Sequence, residues 1–463
     1  ASNSMYTHDV SSTDDSALGN TAYGFQAMES ITTGDANTAI GYRAGVDITG
    51  GAQNTLLGQD AGRGLTVGNY NVAIGYEALY TEDAGGFSVA IGRRALKAQN
   101  TSGNPYNVAI GYHTAQSITT GLYNTAVGGE ALQTNIDGDK NTAIGFRALK
   151  SFEADTDGHG NNTAVGSNAA ENMSTGTENV AIGLQAIGAG VTTGNNNIAV
   201  GVSAGLYLTA GSDNILIGSY AGDNLDAGTR NIAIGRSALS AENAHGYNVA
   251  IGYEALKVQD AGADAYNTAI GYQAGVSVST GTENTLIGSG AGDALTSGGR
   301  NTAIGYEALS AEDETGYAVA VGYQALRAQN SGGNSYNVAV GYNAGESVST
   351  GVQNTIIGGQ AGDALTTGSH NIAVGFRALS DEDTGNNSVG IGYYALNKQN
   401  NDANNYNIAI GHGACQELTT GQYNHIIGGL AGDALTTGSS NIAIGVNALG
   451  TEDTGSRSIA IGE

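Results

Sequence analysis

Proline occurs once in this chain of 463 residues, tryptophan not at all, and cysteine once, at Cys415. A single thiol builds no disulfide framework, so cysteine usage says nothing about redox compartment. Basic residues are also scarce: 16 Lys and Arg stand against 42 Asp and Glu, a formal net charge of −26. An acidic surface of this kind repels nucleic acid and anionic membranes, which argues against both as partners. No run approaches the ~20 apolar residues of a membrane-spanning helix, so no insertion into a bilayer is expected. A signal-peptide pattern is missing too, and the chain opens at Ala1 rather than Met, from which we expect a leader or upstream sequence to have been removed.

Glycine, by contrast, is abundant and regularly placed. A short strand-like segment ending in Gly recurs 26 times, from Gly24, Gly41 and Gly58 to Gly462, and 19 of the 25 intervals are 17 residues. The consensus is N-[TVI]-A-[IV]-G-x-x-A-[LG], followed by a polar turn commonly closed by Thr-Thr-Gly. A period of 17 rather than 3 excludes collagen. It predicts one supersecondary unit stacked on itself: an all-β parallel β-roll or β-solenoid of about 26 coils, continuous over residues 20–463. Residues 1–19 lack the motif and are expected to form an amino-terminal cap or joint.

One coil, Asn301-Thr302-Ala303-Ile304-Gly305-Tyr306-Glu307-Ala308-Leu309, shows the pattern. Alternation places Thr302 and Ile304 on one strand face and Ala303 on the other. The residue before the motif Gly is Ile or Val in 24 of 26 coils, Tyr23 and Leu57 being the exceptions. Stacked every ~4.8 Å, these residues are expected to make a dry β-branched ladder. The Ala three residues after Gly, replaced only by Thr114, is expected to be buried where backbones approach closely.

Asn occupies the first motif position in 22 of 26 coils. Its tolerance of left-handed backbone suits the corner before the strand, and stacked amides can bond one another. The exceptions, Ser88, Ala318, Ser388 and Ser458, all follow the same kind of loop and point to a higher repeat of 70 residues, marked by Gly201, Gly271, Gly341 and Gly411. In its second coil the central Ala becomes Leu216, Leu286, Ile356 or Ile426, while the Leu slot becomes Gly222, Gly292, Gly362 or Gly432. That exchange predicts volume compensation within a layer. Cys415 fills the slot of Gly45, Gly205, Gly275 and Gly345, a packing position rather than a reactive one. Ordering a coil costs more than its thin, alanine-rich core returns, so stability must be cooperative along a rod of ~120 Å, and several chains are expected to lie side by side.

At N-[TV]-A-[IV]-G-x-x-A the sequence resembles the head repeat of trimeric autotransporter adhesins, the YadA-type left-handed parallel β-roll, and related repeats of phage tail-fibre shafts. The resemblance spans residues 20–463. It implies a left-handed homotrimer located outside the cell, on the cell surface or on a virion, binding a host-surface glycan or protein without catalysis. The chain stops within a coil, at Ser458–Glu463, and the open edge is expected to be covered by a further domain or by the next subunit. A self-polymerising extracellular filament, its open ends stacking head to tail, is the alternative.

Candidate chemistry is sparse. Gly201-Val202-Ser203-Ala204-Gly205 matches an esterase elbow, but equivalent columns read Gly-Tyr-Arg-Ala-Gly and Gly-Tyr-Asn-Ala-Gly, so Ser203 is read as a free surface slot. Gly288–Gly292 is glycine-rich but opens no predicted helix, which leaves no phosphate loop. Acidic loops at Glu82-Asp83, Glu242, Glu312-Asp313-Glu314, Asp381-Glu382-Asp383 and Glu452-Asp453 are expected to form a solvated face rather than a divalent-ion site. The histidines show no zinc-ligand spacing, so no metal and no cofactor is expected. Irregular Thr columns argue against an ice-binding face, and a glycan-degrading spike would need paired carboxylates in a groove.

Tyrosine alone is placed systematically. Nine precede the Asn slot and nine follow Gly: Tyr42, Tyr76, Tyr112, Tyr253, Tyr272, Tyr306, Tyr323, Tyr342 and Tyr393. Stacked, they lock turns or seams between chains; exposed, the second set is a candidate surface-binding stripe.

Overall fold

In the computed structural model, residues 5–6, 16–154, 156, 158–314 and 316–463 are described. The chain divides into two units, Ala1–Arg230 and Asn231–Glu463. Each is an all-parallel β-solenoid whose coils contribute one three-residue strand apiece. The strands run from Thr21–Tyr23 to Ile215–Ile217 in the first unit and from Ile232–Ile234 to Ile459–Ile461 in the second. The described residues contain no helix, so none is long and apolar enough to cross a membrane. Pairing is in register: Thr302, Ala303 and Ile304 lie beside Val319, Ala320 and Val321. Of the expected cap, Met5–Tyr6 pairs in parallel with the first coil, Met5 against Thr21. Residues 1–4 and 7–15 of that expectation lie outside the described residues.

Backbone geometry explains the motif glycine. Gly305 has φ +141°, and a Cβ there would sit 2.2 Å from the carbonyl oxygen of Gly322 in the next coil. Its N–H donates back to Ile287 O at 2.7 Å, so adjacent coils are tied at the point of closest approach. Only glycine meets both demands.

The chain then turns sharply, with left-handed backbone at alternate residues, as at Glu307 (φ 49°) and Leu309 (φ 56°). The turn directs Ala308 and Leu309 inward, where both are fully buried. With Ala303 they form the core of the coil. The expected volume compensation is present: Leu286 occupies the space beside two glycines, and a Cβ on Gly275 or Gly292 would lie 2.6 or 2.8 Å from its methyl groups. Cys415 is likewise buried, and burial pushes its thiol far above the ordinary range, in keeping with packing.

Two expectations about the strand need correction. The β-branched ladder is not the interior of the coil. In every three-residue strand but the last, the middle residue is buried while its neighbours are half-buried or exposed. The Ile and Val columns therefore form the outer face of the chain, and the dry ladder is built from Ala, with Leu or Ile in the second coil of each super-repeat. Nor does Asn supply the left-handed corner. That conformation falls on the residue before it, for example Tyr70 (φ 60°), Tyr106 (φ 51°) and Arg300 (φ 61°).

Asn instead turns inward and bonds its neighbours. Asn284 accepts at Oδ1 from the backbone N–H of Asn301 (2.9 Å) and donates from Nδ2 to Gly298 O (2.9 Å), and its own N–H donates to Asn267 Oδ1 (2.8 Å). Each buried amide thus satisfies backbone groups of the next coil that water does not reach.

Candidate functional site

Three features of the coils bear on function: the outer strand face, the aromatic columns and a column of buried acids. The outer face carries Ile and Val where a lone chain presents them to solvent, with Ile110 at 37%, Ile217 at 37% and Ile427 at 42% exposure. Within each unit these residues stack coil upon coil in register and make a contiguous apolar strip.

All nine tyrosines of the candidate stripe are exposed, from 37% for Tyr76 and Tyr253 to 58% for Tyr342. The structure brings most of them into stacks. Tyr323 lies 5.3 Å from both Tyr306 and Tyr342 with nearly parallel rings, and Tyr253 stacks on Tyr272 at 5.3 Å. Phe25, Phe376 and His412 hold the same position after Gly and extend the column, Phe25 stacking on Tyr42 while Phe376 and His412 flank Tyr393; beside the column, His113 stacks on its chain neighbour Tyr112. Arg93 sits over Tyr76 and Tyr112 at 5.8 and 5.7 Å, a cation–π contact. The column before the Asn slot behaves in the same way, through Tyr70, Phe87, Tyr106 and Tyr123. Since neighbours cover ring faces inside each stack, what remains open there is edges and hydroxyls.

The acidic loops are solvated only in part: Asp83, Glu314, Asp381 and Asp453 are exposed, but one acid in most of these loops turns inward. Glu82, Glu242, Glu312 and Glu382 are fully buried, because they stand seven residues after the motif Gly, where other coils place Leu65, Leu225, Leu295 and Leu365. Glu382 is satisfied by Gly385 N–H (2.7 Å), Gln399 Nε2 (2.8 Å) and Asn405 Nδ2 (3.1 Å). Burial nevertheless pushes its carboxyl up from the ordinary range. Gln399 holds the same slot in the following coil, donates to Ser388 Oγ (2.7 Å) and accepts from Asn407 (2.8 Å). This explains the interruptions in the Asn ladder. Where Ser88 or Ser388 replaces Asn, a buried Gln spans the gap; at Ala318, Gln329 finds the hydroxyl of Ser335 instead (2.9 Å). The signal was present in sequence as Glu and Gln within a Leu column at fixed offset from Gly.

Ser203 is buried at 5% exposure rather than lying in a surface slot. Gly288–Gly292 opens no helix, as expected. The histidines are not all isolated: His245 Nδ1 lies 3.3 Å from Glu242 Oε1, and Asp260 joins them.

No protein-family model matches the chain, and no curated protein matches it.

Proposed function

We propose that the chain is a non-enzymatic fibre segment, a shaft or adhesive head, that associates side by side into a homotrimer displayed outside a cell or on a virion. The observation that carries this reading is the apolar strip of Ile and Val on the outer strand face. A lone chain leaves it in water, at 37–43% exposure for residues such as Ile217 and Ile444. Contiguous exposed apolar surface of this length marks an interface, and identical chains packed around a common axis close it without leaving an unmatched face. The aromatic columns support attachment to a host-surface glycan or protein through ring edges and hydroxyls, with the open faces at stack ends available for stacking.

Light scattering of the purified chain tests the assembly. A mass of three chains is expected, and a stable monomer overturns the reading. Ile304→Glu on the outer face is expected to shift the mass downward, with each coil's own core intact. Negative-stain images showing discrete particles agree with a trimer, whereas threads far longer than one chain favour the head-to-tail filament.

A further inference from the structure

The buried-acid column contains one departure, in the coil that begins at Gly235. Three residues after the Glu of this slot, other coils carry Gly85, Thr315, Gly385 and Gly455, but here the residue is His245. Eight residues after the next motif Gly, other super-repeats carry Asn100, Asn330 and Asn400, but here the residue is Asp260. Both exchanges replace a non-ligand or weak ligand with a strong one, and both occur beside the same carboxylate. One ligand atom from each of Glu242, His245 and Asp260 lies within 4.8 Å of the others.

A second observation is independent of that grouping. Elsewhere the neighbouring Gln closes the buried carboxylate, with Gln99 donating to Glu82 at 2.8 Å, Gln329 to Glu312 at 3.0 Å and Gln399 to Glu382 at 2.8 Å. Here that bond is missing. Glu242 Oε2 and Gln259 Nε2 are both buried and neither has a hydrogen-bond partner. A buried carboxylate oxygen without a partner is costly. The His245–Glu242 contact engages only Oε1, so an ion pair alone leaves both that oxygen and Asp260 unexplained.

We propose that Glu242, His245 and Asp260 bind a divalent cation of the zinc type. The donor set of one imidazole and two carboxylates neutralises a dication and suits zinc, cobalt, nickel or copper. Calcium and magnesium fit poorly, because they take six or more oxygens and avoid imidazole. The geometry agrees: ligand atoms about 2.0–2.1 Å from a tetrahedral ion are roughly 3.3–3.4 Å apart, and His245 Nδ1 is 3.3 Å from Glu242 Oε1. Asp260 is exposed and offers the third ligand atom within 4.8 Å of the other two, and His245 is half-buried, so two of the three ligands reach solvent. The bound ion clips the acidic loop of one coil to the loop of the next.

The test uses the full chain freed of metal, titrated with zinc chloride by calorimetry and with cobalt(II) by visible absorption. Two variants, His245→Gly and Asp260→Asn, install the residues that other coils carry, so their folding is expected to be retained. The wild type should take up one zinc per chain at least tenfold more tightly than either variant. It should show cobalt bands of a low-coordinate nitrogen–oxygen site, and zinc should raise its melting temperature while leaving the double variant unmoved. No uptake by the wild type, or affinity in the double variant within twofold of it, overturns the assignment.

Discussion

Replacing Asn354 with Ala isolates the inner amide ladder from every other feature of a coil. Asn354 is 1% exposed. Its Nδ2 donates to Gly368 O at 2.9 Å, and its Oδ1 accepts from the N–H of Asn371 at 2.9 Å. Its own N–H, donating to Asn337 Oδ1 at 2.8 Å, is unaffected by the change. The substitution therefore leaves one buried carbonyl and one buried N–H without partners. At roughly 1–3 kcal/mol for each orphaned group the cost is about 2–6 kcal/mol. In a stacked repeat that cost appears first as local opening, so hydrogen exchange across residues 355–371 should accelerate before the whole chain melts at a lower urea concentration. Asn354→Asp keeps the acceptor toward Asn371 but sets a carboxylate against the Gly368 carbonyl. It is expected to be at least as damaging at neutral pH and to recover in part when protonated. If Asn354→Ala loses less than about 1 kcal/mol and exchange near Asn371 is unchanged, the ladder contributes nothing and the backbone alone holds the corners.

The buried Glu–Gln pair makes a double-mutant cycle informative. Glu382→Leu takes the acceptor from Gly385 N–H and one of two acceptors from each of the Gln399 and Asn405 amides, and Gln399→Leu takes a donor from the buried Glu382 carboxylate and one of two acceptors from Asn407, but the double variant contains neither the amide nor the carboxylate that the single substitutions leave short of a partner. Denaturant melts should show the double costing less than the sum of the singles by about 1–3 kcal/mol, and strict additivity refutes the pairing. A separate prediction concerns pH. Burial pushes the Asp363 carboxyl up to about 6 from 3.8, and burial raises Asp223 and Asp293 as well. A folded carboxyl that holds its proton more tightly than the unfolded one means stability falls as pH rises from about 4 to about 6. Burial also pushes Glu77 upward, but hydrogen bonds from Lys97, Tyr76 and Arg94 outweigh it and hold the group at about 2, so its contribution is still intact at pH 5. Burial depresses the pKa of His113, which opposes the trend as pH falls below about 6.5, but three raised carboxyls stand against that one imidazole. The melting temperature should therefore be higher at pH 5 than at pH 7, and Asp363→Asn should narrow the difference; a wild type that melts higher at pH 7 refutes the assignment.

The fold was legible because its signal is spacing. Seventeen residues from Gly to Gly and a pairing register that keeps Ala beside Ala are two views of one repeat, and the exchange of Leu286 against Gly275 and Gly292 was readable as volume. Which strand face is inside was not legible. Alternation assigns Thr302 and Ile304 to one side and Ala303 to the other without saying which side is core, and hydrophobicity alone favours Ile. The coil is too narrow for that choice: the turn after Gly305 already brings Ala308 and Leu309 inward, which leaves room for a methyl group opposite them. Charge misled in the same way. Glu82 and Glu382 read as solvent-facing because acids usually are, yet their offset from Gly places them in the Leu column, where Gln99 and Gln399 answer them. The tyrosine columns were readable as columns, but not the phenylalanines and histidines that complete the stacks.

This inversion of the strand strengthens the case for association. Inside the coil, Ala is required because the space admits little else, and Gly because a Cβ strikes the next carbonyl. Neither constraint reaches the outer face, where Thr or Ser would stack as well as Ile and would keep a lone chain better hydrated. Yet the position before Gly is Ile or Val in 24 of 26 coils, while the other outward strand position varies among Thr, Val and Ile, as at Thr302, Val249 and Ile232, and is His at His425. An apolar requirement confined to one outward column, and indifferent to the neighbour two residues away, is not imposed by the fold of a single coil. The proposed trimer would supply such a source, because a second copy of the same ladder in the same register is a partner whose spacing matches that column.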